Sequence, residues 1–470
     1  MAGIVSYGAY VPIYRLKRDD IAKAWASRSP GGERSVANAD EDSVTMAVGA
    51  VRDCLKGHDR STVDAIFFAT TTSPYSEKQM AVTIAAACDL RDDIFTTDVT
   101  SCLRAGTLAL KAAIDAVASG SARQALVVAA DCRLGEPKSE MEMNFGDGAA
   151  AFLIGNTDVM ATLDASYNEA HEIYDVWRTR KDELVKTWED RYVIVEGYSS
   201  LLEHAIGALL KKTKLTMKDF NKVIFYAPDG RSHNGEVKTL KLEKEQVQDC
   251  LASTVGNTGT ALALMMLVGA LETAQPGQRF LLANYGDGAD AYAISTHGPV
   301  TKTTTRRGLK GHLASKRYLL NYEKYIRFRE LMPIEKQRRP TIIAYVPSVH
   351  RDRKWIYNGF GSHCKACDRL FFPPQRVCNY CQTKDKWEYV RIMDWPAILF
   401  TYSMDYNALS PDPPTVWTIV DVDKKVRVYT RMTDFDPDKI EVNMPLEMTF
   451  RKIHDGGDHP NYFWKSVPIR

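Results

Sequence analysis

Two copies of one turn sequence, an aromatic residue followed by Gly-Asp-Gly-Ala, constrain the fold of this chain most strongly. The first copy covers residues 145–149 and the second covers residues 285–289, and each runs into a strand-like apolar segment. A turn that recurs at the same relative place indicates an internal duplication. Because Gly-Asp-Gly is common turn chemistry, chance is the alternative explanation for this pair alone.

The first half alternates segments of strand character with segments of helix character. Strands are predicted at 65–70, 94–100 and 125–130, and helices at 43–55, 80–88 and 103–119. Such alternation is typical of a layered α/β domain. A chain of 470 residues is too long for one compact core, so two or three domains are expected.

Cys102 lies where the predicted strand 94–100 meets the predicted helix 103–119. The free N–H groups and the positive dipole end of a helix N-terminus favour the thiolate, which is the nucleophilic form of cysteine. A buried core cysteine is the alternative interpretation. The surrounding strand-turn-helix pattern favours a nucleophile.

The second half begins near residue 160 and contains Asn257 between two glycines, Gly256 and Gly259, just before a predicted helix at 261–273. The asparagine side chain either caps that helix or reaches into a site. Further on, twelve Lys or Arg stand against three Glu between Lys302 and Arg339. This basic segment is either a solvated helix or a surface for the phosphates of a nucleotide-bearing substrate, with Arg327 and Arg329 as the candidate contacts.

Two CxxC pairs form the most specific motif in the chain. They are Cys364, Cys367, Cys378 and Cys381. Four thiolates at this spacing close a tetrahedron around zinc and leave no position for a substrate water. Structural zinc is therefore predicted, with iron in a rubredoxin-like site as the competing assignment.

The region from residue 393 to 470 consists of short strands separated by turns, which favours a small OB-type β-barrel. OB folds that bind single-stranded nucleic acid carry a basic groove. Twelve Asp or Glu stand against nine Lys or Arg from Asp394 onward, so no nucleic-acid partner is expected. The predicted domains are 1–160, 161–335, a linker at 336–354, a zinc ribbon at 355–392 and the barrel at 393–470.

The net charge of +2 gives the whole chain no bias toward nucleic acid or anionic membranes. No apolar run is expected to reach the roughly 18 residues of a spanning helix, so no membrane partner is predicted. The nine cysteines do not form the pattern of a secreted disulfide framework, and a cytoplasmic protein is predicted.

Residues 1 to about 335 resemble the thiolase superfamily, and within it hydroxymethylglutaryl-CoA synthase. The resemblance is carried by Gly8-Ala-Tyr-Val-Pro-Ile-Tyr-Arg15, Asp40-Glu-Asp-Ser43, Ser73-Pro-Tyr75, Cys102, Gly146-Asp-Gly-Ala-Ala150, Tyr174-Asp-Val-Trp-Arg178, Pro228-Asp-Gly230, Gly256-Asn257-Thr258 and Tyr285-Gly-Asp-Gly288. Residues 355–470 resemble the zinc-ribbon and OB-fold proteins that accompany thiolase-like enzymes. The resemblance implies a duplicated thiolase-like α/β fold followed by a rubredoxin-like zinc ribbon and an OB-type barrel.

This resemblance also implies an acyltransferase that uses a coenzyme A thioester as substrate. The acyl group would move to Cys102, Asn257 would orient a reacting oxygen or water, and backbone N–H groups, with Gly288 in the second half, would hold the oxyanion. Carbon–carbon bond formation or cleavage next to the thioester would follow. The resemblance further implies a homodimer.

Two positions of the family pattern differ in this chain. The general-base glutamate falls on Thr71, which is predicted to contact substrate, and the histidine falls on Tyr226. Neither side chain is a good base, so we expect a thiolase-type acyltransferase that is not an authentic hydroxymethylglutaryl-CoA synthase. His233 is the candidate substitute base if its loop folds inward; a surface loop residue is the alternative. A non-catalytic acyl-CoA-binding or scaffold protein is the second hypothesis for the whole chain.

Overall fold

The computed structural model describes residues 1–298, 306–333, 335, 343–408, 410–455 and 459–470. Parts of the predicted basic segment, 302–305, 334 and 336–339, lie outside the described residues. The chain folds as two compact units. Unit 1 comprises Met1–Ala37, Asp42–Ala85 and Leu90–Tyr325, and unit 2 comprises Asn38–Glu41, Ala86–Asp89 and Ile326–Arg470.

Unit 1 is a mixed α/β structure. Its strands are β1 (Gly3–Tyr10), β2 (Tyr14–Lys17), β3 (Glu33–Val36), β4 (Val63–Ala69), β5 (Phe95–Val99), β6 (Gln124–Asp131), β7 (Gly148–Gly155), β8 (Ala161–Ala170), β9 (Val176–Trp177), β10 (Lys186–Thr187), β11 (Lys222–Phe225), β12 (Arg279–Tyr285), β13 (Gly288–Thr296) and β14 (Arg317–Tyr318). The helices that begin in it are α1 (Arg18–Ala24), α2 (Ser43–Cys54), α3 (Met80–Ala87), α4 (Ala105–Ala118), α5 (Glu140–Asn144), α6 (Asp190–Tyr192), α7 (Ser200–Thr213), α8 (Gly230–Thr239), α9 (Leu262–Leu271), α10 (Gly308–Ala314) and α11 (Tyr322–Phe328).

Nine strands form the main sheet in the order β11-β12-β13-β8-β1-β7-β6-β4-β5. Outward from the β1–β8 junction, each half repeats one pattern: antiparallel, antiparallel, then parallel. The first half runs β1-β7-β6-β4 and the second runs β8-β13-β12-β11. The predicted duplication and thiolase-like α/β fold are confirmed. β5 extends the first half only and forms the edge of the sheet.

Two apolar helices connect the halves within the core. α9 is apolar on all sides and nine of its residues are buried, as expected of a central helix. α4 packs on β4 and β6, α9 packs on β7 and β11, and the two helices contact each other. At Gly106 of α4, an added Cβ would lie 2.3 Å from the carbonyl oxygen of Thr260. A glycine is therefore required for α4 to approach the backbone that leads into α9.

The continuous helical stretch Asp190–Thr213 is long and apolar enough, by length and composition alone, to cross a membrane. The expectation that no apolar run would reach this length was therefore wrong. The stretch includes π-helical turns at Val193–Ser199 and then α7, which packs on β8, β12 and β13. Because core helices pass the same test and the inner face of α7 is buried in unit 1, this stretch is only a weak indication of a membrane span.

In its described residues, unit 2 is built mainly from two antiparallel sheets and the helix α12 (Val346–Ile356). The strands of the two sheets are β15 (Phe360–Cys364), β16 (Leu370–Phe371), β17 (Trp387–Arg391), β18 (Ala397–Asp405), β19 (Thr415–Val422), β20 (Val426–Arg431), β21 (Pro445–Asp455) and β22 (Pro460–Pro468). The first sheet has the order β16-β15-β17 and the second has the order β20-β19-β18-β21-β22. A bridge between Met432 and Ser466 brings the two outer strands together. The zinc ribbon and OB-type barrel are thus confirmed.

Of the predicted linker 336–354, residues 336–342 lie outside the described residues, whereas the final part, from residue 346, is helical in α12. The exact domain limits stay predictions.

Candidate active site

Cys102 lies in the turn between β5, which ends at Val99, and α4, which begins at Ala105. The preceding residue, Ser101, has a φ of 75°, a left-handed conformation that is strained for any residue with a side chain. The carbonyl oxygen of Cys102 accepts a hydrogen bond from the N–H of Ala105 at 3.2 Å. Cys102 therefore precedes the first helical turn of α4 and does not lie within it.

Burial raises the pKa of the Cys102 thiol. The guanidinium of Arg104 acts in the opposite direction but has a smaller effect, and the carboxylate of Asp287 raises the pKa further. The backbone N–H of Arg104, at the start of the helix, also lowers the pKa, but desolvation has the larger effect. A base or a bound substrate would therefore assist the ionisation of Cys102, and the stabilised thiolate stays a prediction.

Arg104 holds the turn of Cys102 against the second Gly-Asp-Gly turn. Its Nε donates to the carbonyl oxygen of Gly286 at 2.6 Å, its Nη2 to that of Asp287 at 2.9 Å, and its Nη1 to the buried carboxylate of Asp290 at 2.9 Å. At Gly286, whose φ is 151°, a Cβ would meet the backbone N of Leu103 at 2.9 Å. The glycine therefore permits direct backbone contact beside Cys102.

The first Gly-Asp-Gly turn contacts the second half in the same way. The N–H of Gly146 donates to the carbonyl oxygen of Asn257 at 3.0 Å. A Cβ at Gly146 would lie 1.9 Å from the carbonyl oxygen of Val255. Each half thus supplies a glycine turn that contacts a candidate site residue's loop in the other half. The turn at Gly146 contacts the loop of Asn257, and the turn at Gly286 contacts the loop of Cys102.

The side chain of Asn257 uses all of its hydrogen-bonding capacity inside the protein. Its Oδ1 accepts from Nη2 of Arg133 and from the N–H of Gly259, both at 2.9 Å. Its Nδ2 donates to the hydroxyl of Tyr226 at 2.9 Å and to the carbonyl oxygen of Pro228 at 3.2 Å. An amide has two donor hydrogens and two acceptor lone pairs, so none is left for a substrate in this arrangement.

Tyr226 is buried, and burial raises its pKa although the charge of Arg133 lowers it in part. Its hydroxyl is therefore protonated at neutral pH and is a hydrogen-bonding partner of Asn257 rather than a base.

Thr71 belongs to a cluster of threonines around the buried carboxylate of Asp131. Thr70, Thr71, Thr72 and Thr260 together donate six hydrogen bonds to it, from four hydroxyls and two backbone N–H groups. In addition, the backbone carbonyl oxygen of Thr71 accepts a hydrogen bond from Nη2 of Arg178. The hydroxyl of Thr71 is committed to Asp131, so it is in a poor position to act on substrate.

His233 does not lie in a surface loop, which was the alternative prediction from the sequence. It lies on α8, which begins after the N-cap Asp229, and it is only 3% exposed. Its ring stacks on Phe225 with centroids 4.5 Å apart. Burial lowers its pKa, so the imidazole is neutral.

A cavity of about 910 Å³ surrounds Cys102, and all of its lining residues belong to unit 1. Of the sequence-predicted site residues, Cys102 and Thr71 line it. Asn257, Tyr226, His233 and Gly288 do not. Gly288 begins β13, and its carbonyl oxygen accepts from the N–H of Gly286 at 2.9 Å.

Most residues that line this cavity were not singled out as site residues from the sequence. Among them, charged groups and a glycine of the second Gly-Asp-Gly turn bear most directly on the chemistry: Arg133, Asp175, Arg178, Gly286 and Asp287. Burial raises the pKa of both Asp175 and Asp287. A buried carboxyl beside a cysteine is a candidate acid or base. Two stretches of the family resemblance contain four of the five: Tyr174-Asp-Val-Trp-Arg178 contains Asp175 and Arg178, and Tyr285-Gly-Asp-Gly288 contains Gly286 and Asp287. Arg133 had no such signal.

Arg327 and Arg329 belong to unit 2, and neither lines the cavity around Cys102. Arg327 is exposed, and its Nη2 donates to the carbonyl oxygen of Ser410 at 2.5 Å. Arg329 is half-buried.

The four cysteines of the ribbon converge on one point. Their Sγ atoms all lie within 4.8 Å of one another, with 3.7 Å between Cys364 and Cys381 and 3.5 Å between Cys367 and Cys378. Tetrahedral zinc with Zn–S bonds of about 2.3 Å separates its sulfurs by about 3.8 Å. The geometry therefore fits a structural zinc site with four cysteine ligands.

The chain is similar to curated proteins over most of its length. It is 32% identical to the hydroxymethylglutaryl-CoA synthase of Thermococcus gammatolerans over 336 residues, which is 70% of this chain and 95% of that relative. The chain belongs to the hydroxymethylglutaryl-CoA synthase family. A second family member, from Pyrococcus horikoshii, is 31% identical over 335 residues and is covered to 95%. Membership of this family assigns the matched 336 residues to the acyl-CoA condensing acyltransferases.

Family models agree with this assignment and extend it to the C-terminal region. Residues 97–169 match the 3-oxoacyl-[acyl-carrier-protein] synthase III model, residues 360–386 match the ChsH2 rubredoxin-like zinc ribbon, and residues 396–451 match the ChsH2 C-terminal OB-fold domain.

Solved structures of hydroxymethylglutaryl-CoA synthases and of 3-oxoacyl-[acyl-carrier-protein] synthases III share the fold of this chain. One described as a hydroxymethylglutaryl-CoA synthase complexed with CoA has a TM-score of 0.64 at 19% identity and covers 73% of this chain and 94% of its own. The 3-oxoacyl-[acyl-carrier-protein] synthase III from Aquifex aeolicus has a TM-score of 0.57 at 20% identity and covers 63% and 100%. At these identities the likeness concerns the fold.

Proposed function

We propose that the protein transfers the acyl group of an acyl-CoA to Cys102 and then forms or cleaves a carbon–carbon bond next to a thioester. The observation that carries this proposal is the place of Cys102. It lines a cavity of about 910 Å³, at a strained turn that Arg104 ties to the Gly286–Asp287 backbone. Nucleophile and backbone groups of both halves thus lie together.

In the first step the sulfur of Cys102 attacks the thioester carbonyl carbon. The bond between that carbon and the coenzyme A sulfur breaks, and the departing thiolate takes up the proton that Cys102 loses. Backbone N–H groups beside Cys102 and in the second half are the proposed donors to the oxyanion. The N–H of Gly286 is not one of them, because it donates to the carbonyl oxygen of Gly288.

The protein is proposed not to be an authentic hydroxymethylglutaryl-CoA synthase. The glutamate and histidine that the family resemblance places in the site fall on Thr71 and Tyr226. Thr71 donates to Asp131, and Tyr226 is a buried phenol bonded to Asn257. Loss of a well-placed general base costs about 10²- to 10⁴-fold in rate. Asp175, a buried carboxyl of the same cavity, is the replacement base that we propose in preference to His233.

Coenzyme A thioesters are the proposed substrates, in keeping with the family member whose structure is described as complexed with CoA. Zinc is the proposed occupant of the four-cysteine site, where it would hold the ribbon together without taking part in catalysis. We also propose a cytoplasmic homodimer, with nucleic acid and membranes not among its partners. Phe95, 61% exposed on the edge strand β5, supports pairing of two chains through that edge.

Mass spectrometry of the intact protein after incubation with acetyl-CoA, isobutyryl-CoA and benzoyl-CoA tests the acyl transfer. The expected result is a mass increase of one acyl group, located on the peptide that contains Cys102 and absent from Cys102→Ala. The absence of any adduct with all three thioesters would overturn the proposal.

A non-catalytic acyl-CoA-binding protein is the second candidate, and the raised pKa of Cys102 is the observation that favours it. It predicts that coenzyme A thioesters bind equally well to wild type and Cys102→Ala and that no acyl-enzyme forms at any pH. The acylation experiment therefore separates the two functions directly.

A further inference from the structure

Arg133 is a buried cation that the acyl-transfer mechanism leaves without a role. It is 3% exposed, and its guanidinium lies over the ring of Phe145, 4.2 Å from the centroid. Its Nη2 donates to Asn257 and its guanidinium also lies within hydrogen-bonding reach of the Tyr226 hydroxyl, whereas its Nε has no hydrogen-bond partner among the described residues. The side chain is thus fixed by stacking and by two polar neighbours, and a guanidinium has five N–H donors, so donor capacity is left over.

No carboxylate forms an ion pair with Arg133 within the part of the chain that the structure describes. Asp131, the last residue of β6 and two residues before Arg133, already accepts six hydrogen bonds from hydroxyls and backbone N–H groups of threonines. Asp175 lines the same cavity, and burial raises its pKa more than the charge of Arg133 lowers it. Asp131 Oδ2 and Arg133 Nε both approach Gly259, so the two charges are near each other without a direct ion pair. A ligand carboxylate would supply the direct charge-assisted hydrogen bonds that the guanidinium lacks.

The cavity wall makes Arg133 distinct from the other cations around Cys102. Lys78, Arg178 and Arg180 also line the cavity, but each is partly or fully exposed. Arg133 alone among these four is buried, where a charge-assisted hydrogen bond is least weakened by water. The side-chain amide of Asn257 has used all of its hydrogen-bond donors and acceptors. Of the two hydrogen-bonded residues Arg133 and Asn257, only Arg133 therefore has donors left for a ligand.

We propose that Arg133 binds a carboxylate carried by the acyl group, so that the preferred substrates are CoA thioesters of dicarboxylic acids. A guanidinium presents a planar fork of donors that matches a carboxylate, and its stacking on Phe145 holds that plane in place. The thioester end of such an acyl group would lie at Cys102 and the free carboxylate at Arg133, within one cavity. This inference rests on the proposed function for the choice of acyl-CoA as ligand.

The test measures binding in the full-length Cys102→Ala variant, which cannot form an acyl-enzyme. Dissociation constants are determined by calorimetry for matched pairs of equal chain length: malonyl-CoA with propionyl-CoA, succinyl-CoA with butyryl-CoA, and glutaryl-CoA with valeryl-CoA. In at least one pair the dicarboxylic thioester is expected to bind about 10- to 100-fold more tightly, the contribution of a hydrogen bond to a charged group. Preference factors below threefold in all three pairs would overturn the proposal.

Two further variants in the same background assign the preference to Arg133. Arg133→Gln is expected to abolish it, and Arg133→Lys to retain part of it. Arg180→Gln removes the same charge from an exposed part of the cavity wall and is expected to leave the ratio within each pair unchanged. A preference that survives in Arg133→Gln, or that disappears equally in Arg180→Gln, would contradict a carboxylate site at Arg133.

Failure of this inference and failure of the proposed function give different results. If no thioester forms on wild-type Cys102, the acyl transfer is wrong, and the binding ratios still report on Arg133. If Cys102 is acylated but dicarboxylic and monocarboxylic thioesters bind alike, only the carboxylate site is wrong. The carboxylate site would also be overturned if Arg133→Gln lowered the turnover of both members of each pair by the same factor. An equal decrease would mean that Arg133 contacts an oxygen of the reacting thioester and not the free carboxylate.

Discussion

The hydroxyl of Thr71 donates a hydrogen bond to the buried carboxylate of Asp131 at 3.0 Å, and the N–H of Thr71 donates another at 2.7 Å. We predict that Thr71→Glu, which places a glutamate where the family resemblance expects one, does not restore condensation. The new carboxylate would face Asp131 and remove one of its donors, which costs about 3 kcal/mol or more. A lower midpoint of thermal unfolding is therefore expected. Thr71→Ser keeps the donor and should unfold near the wild-type temperature; equal midpoints for the two variants would contradict the prediction.

Gly286→Ala is expected to impair acylation of Cys102 at least tenfold while the protein still folds. The added methyl group would lie 2.9 Å from the N and the Cβ of Leu103 and would displace the turn that carries Cys102. Quantitative mass spectrometry of the acyl-enzyme over time measures the rate. Gly207→Ala is the matched control, since nothing lies within 4 Å of a Cβ there, and it sits in α7, where alanine favours the helix by roughly 0.5–1 kcal/mol. Wild-type rates in Gly286→Ala would contradict the geometry.

The reactivity of Cys102 should increase with pH across the neutral range. Because burial raises its pKa above the ordinary value, only a small thiolate fraction exists at pH 7, and that fraction grows about tenfold per pH unit below the pKa. Alkylation by iodoacetamide, followed on the Cys102 peptide from pH 6 to 9, measures this rise. A plateau below pH 8 would indicate a stabilised thiolate and contradict the prediction. The alkylation of Cys102→Ala gives the background from the other cysteines.

Metal analysis should find one zinc per chain in the purified protein. Cys378→Ser removes one ligand and is expected to reduce the zinc content and to lower the stability of unit 2, because zinc binding contributes to folding of such ribbons. Acylation of Cys102, which lies in unit 1, should persist. A red protein with visible absorption and one iron per chain would show that the site is rubredoxin-like.

Charge reversal at Arg327 and Arg329 tests the predicted role of the basic segment. If these arginines meet the phosphates of coenzyme A, Arg327→Glu combined with Arg329→Glu should raise the dissociation constant for CoA about tenfold, with the effect reduced at high salt. An unchanged dissociation constant for CoA would favour the alternative interpretation, in which the segment is a solvated helix. Lys211→Glu, on the exposed surface of α7 and outside the basic segment, changes a charge of the same sign and serves as the control.

Several elements followed from the sequence alone because they depend on neighbours in the chain. The spacing of Cys364, Cys367, Cys378 and Cys381 is sufficient to bring four sulfurs together. The strand before Cys102 and the helix after it were found to within two residues, since periodicity and a turn define both. The repeated Gly-Asp-Gly turn indicated the duplication that the strand order of the sheet confirms.

The sequence determined a nucleophilic cysteine at a strand-to-helix turn, a duplicated α/β body and a four-cysteine ribbon. Only the tertiary structure decided the chemistry around that cysteine. Arg133 and Asn257, 124 residues apart, form a hydrogen bond that no local pattern encodes. Burial depends on every element packed around a residue. It raises the pKa of Cys102, opposite to the effect expected of a helix terminus, and the packing of the folded chain buries His233. Desolvation and long-range hydrogen bonds are properties of the folded chain, so they became visible only there.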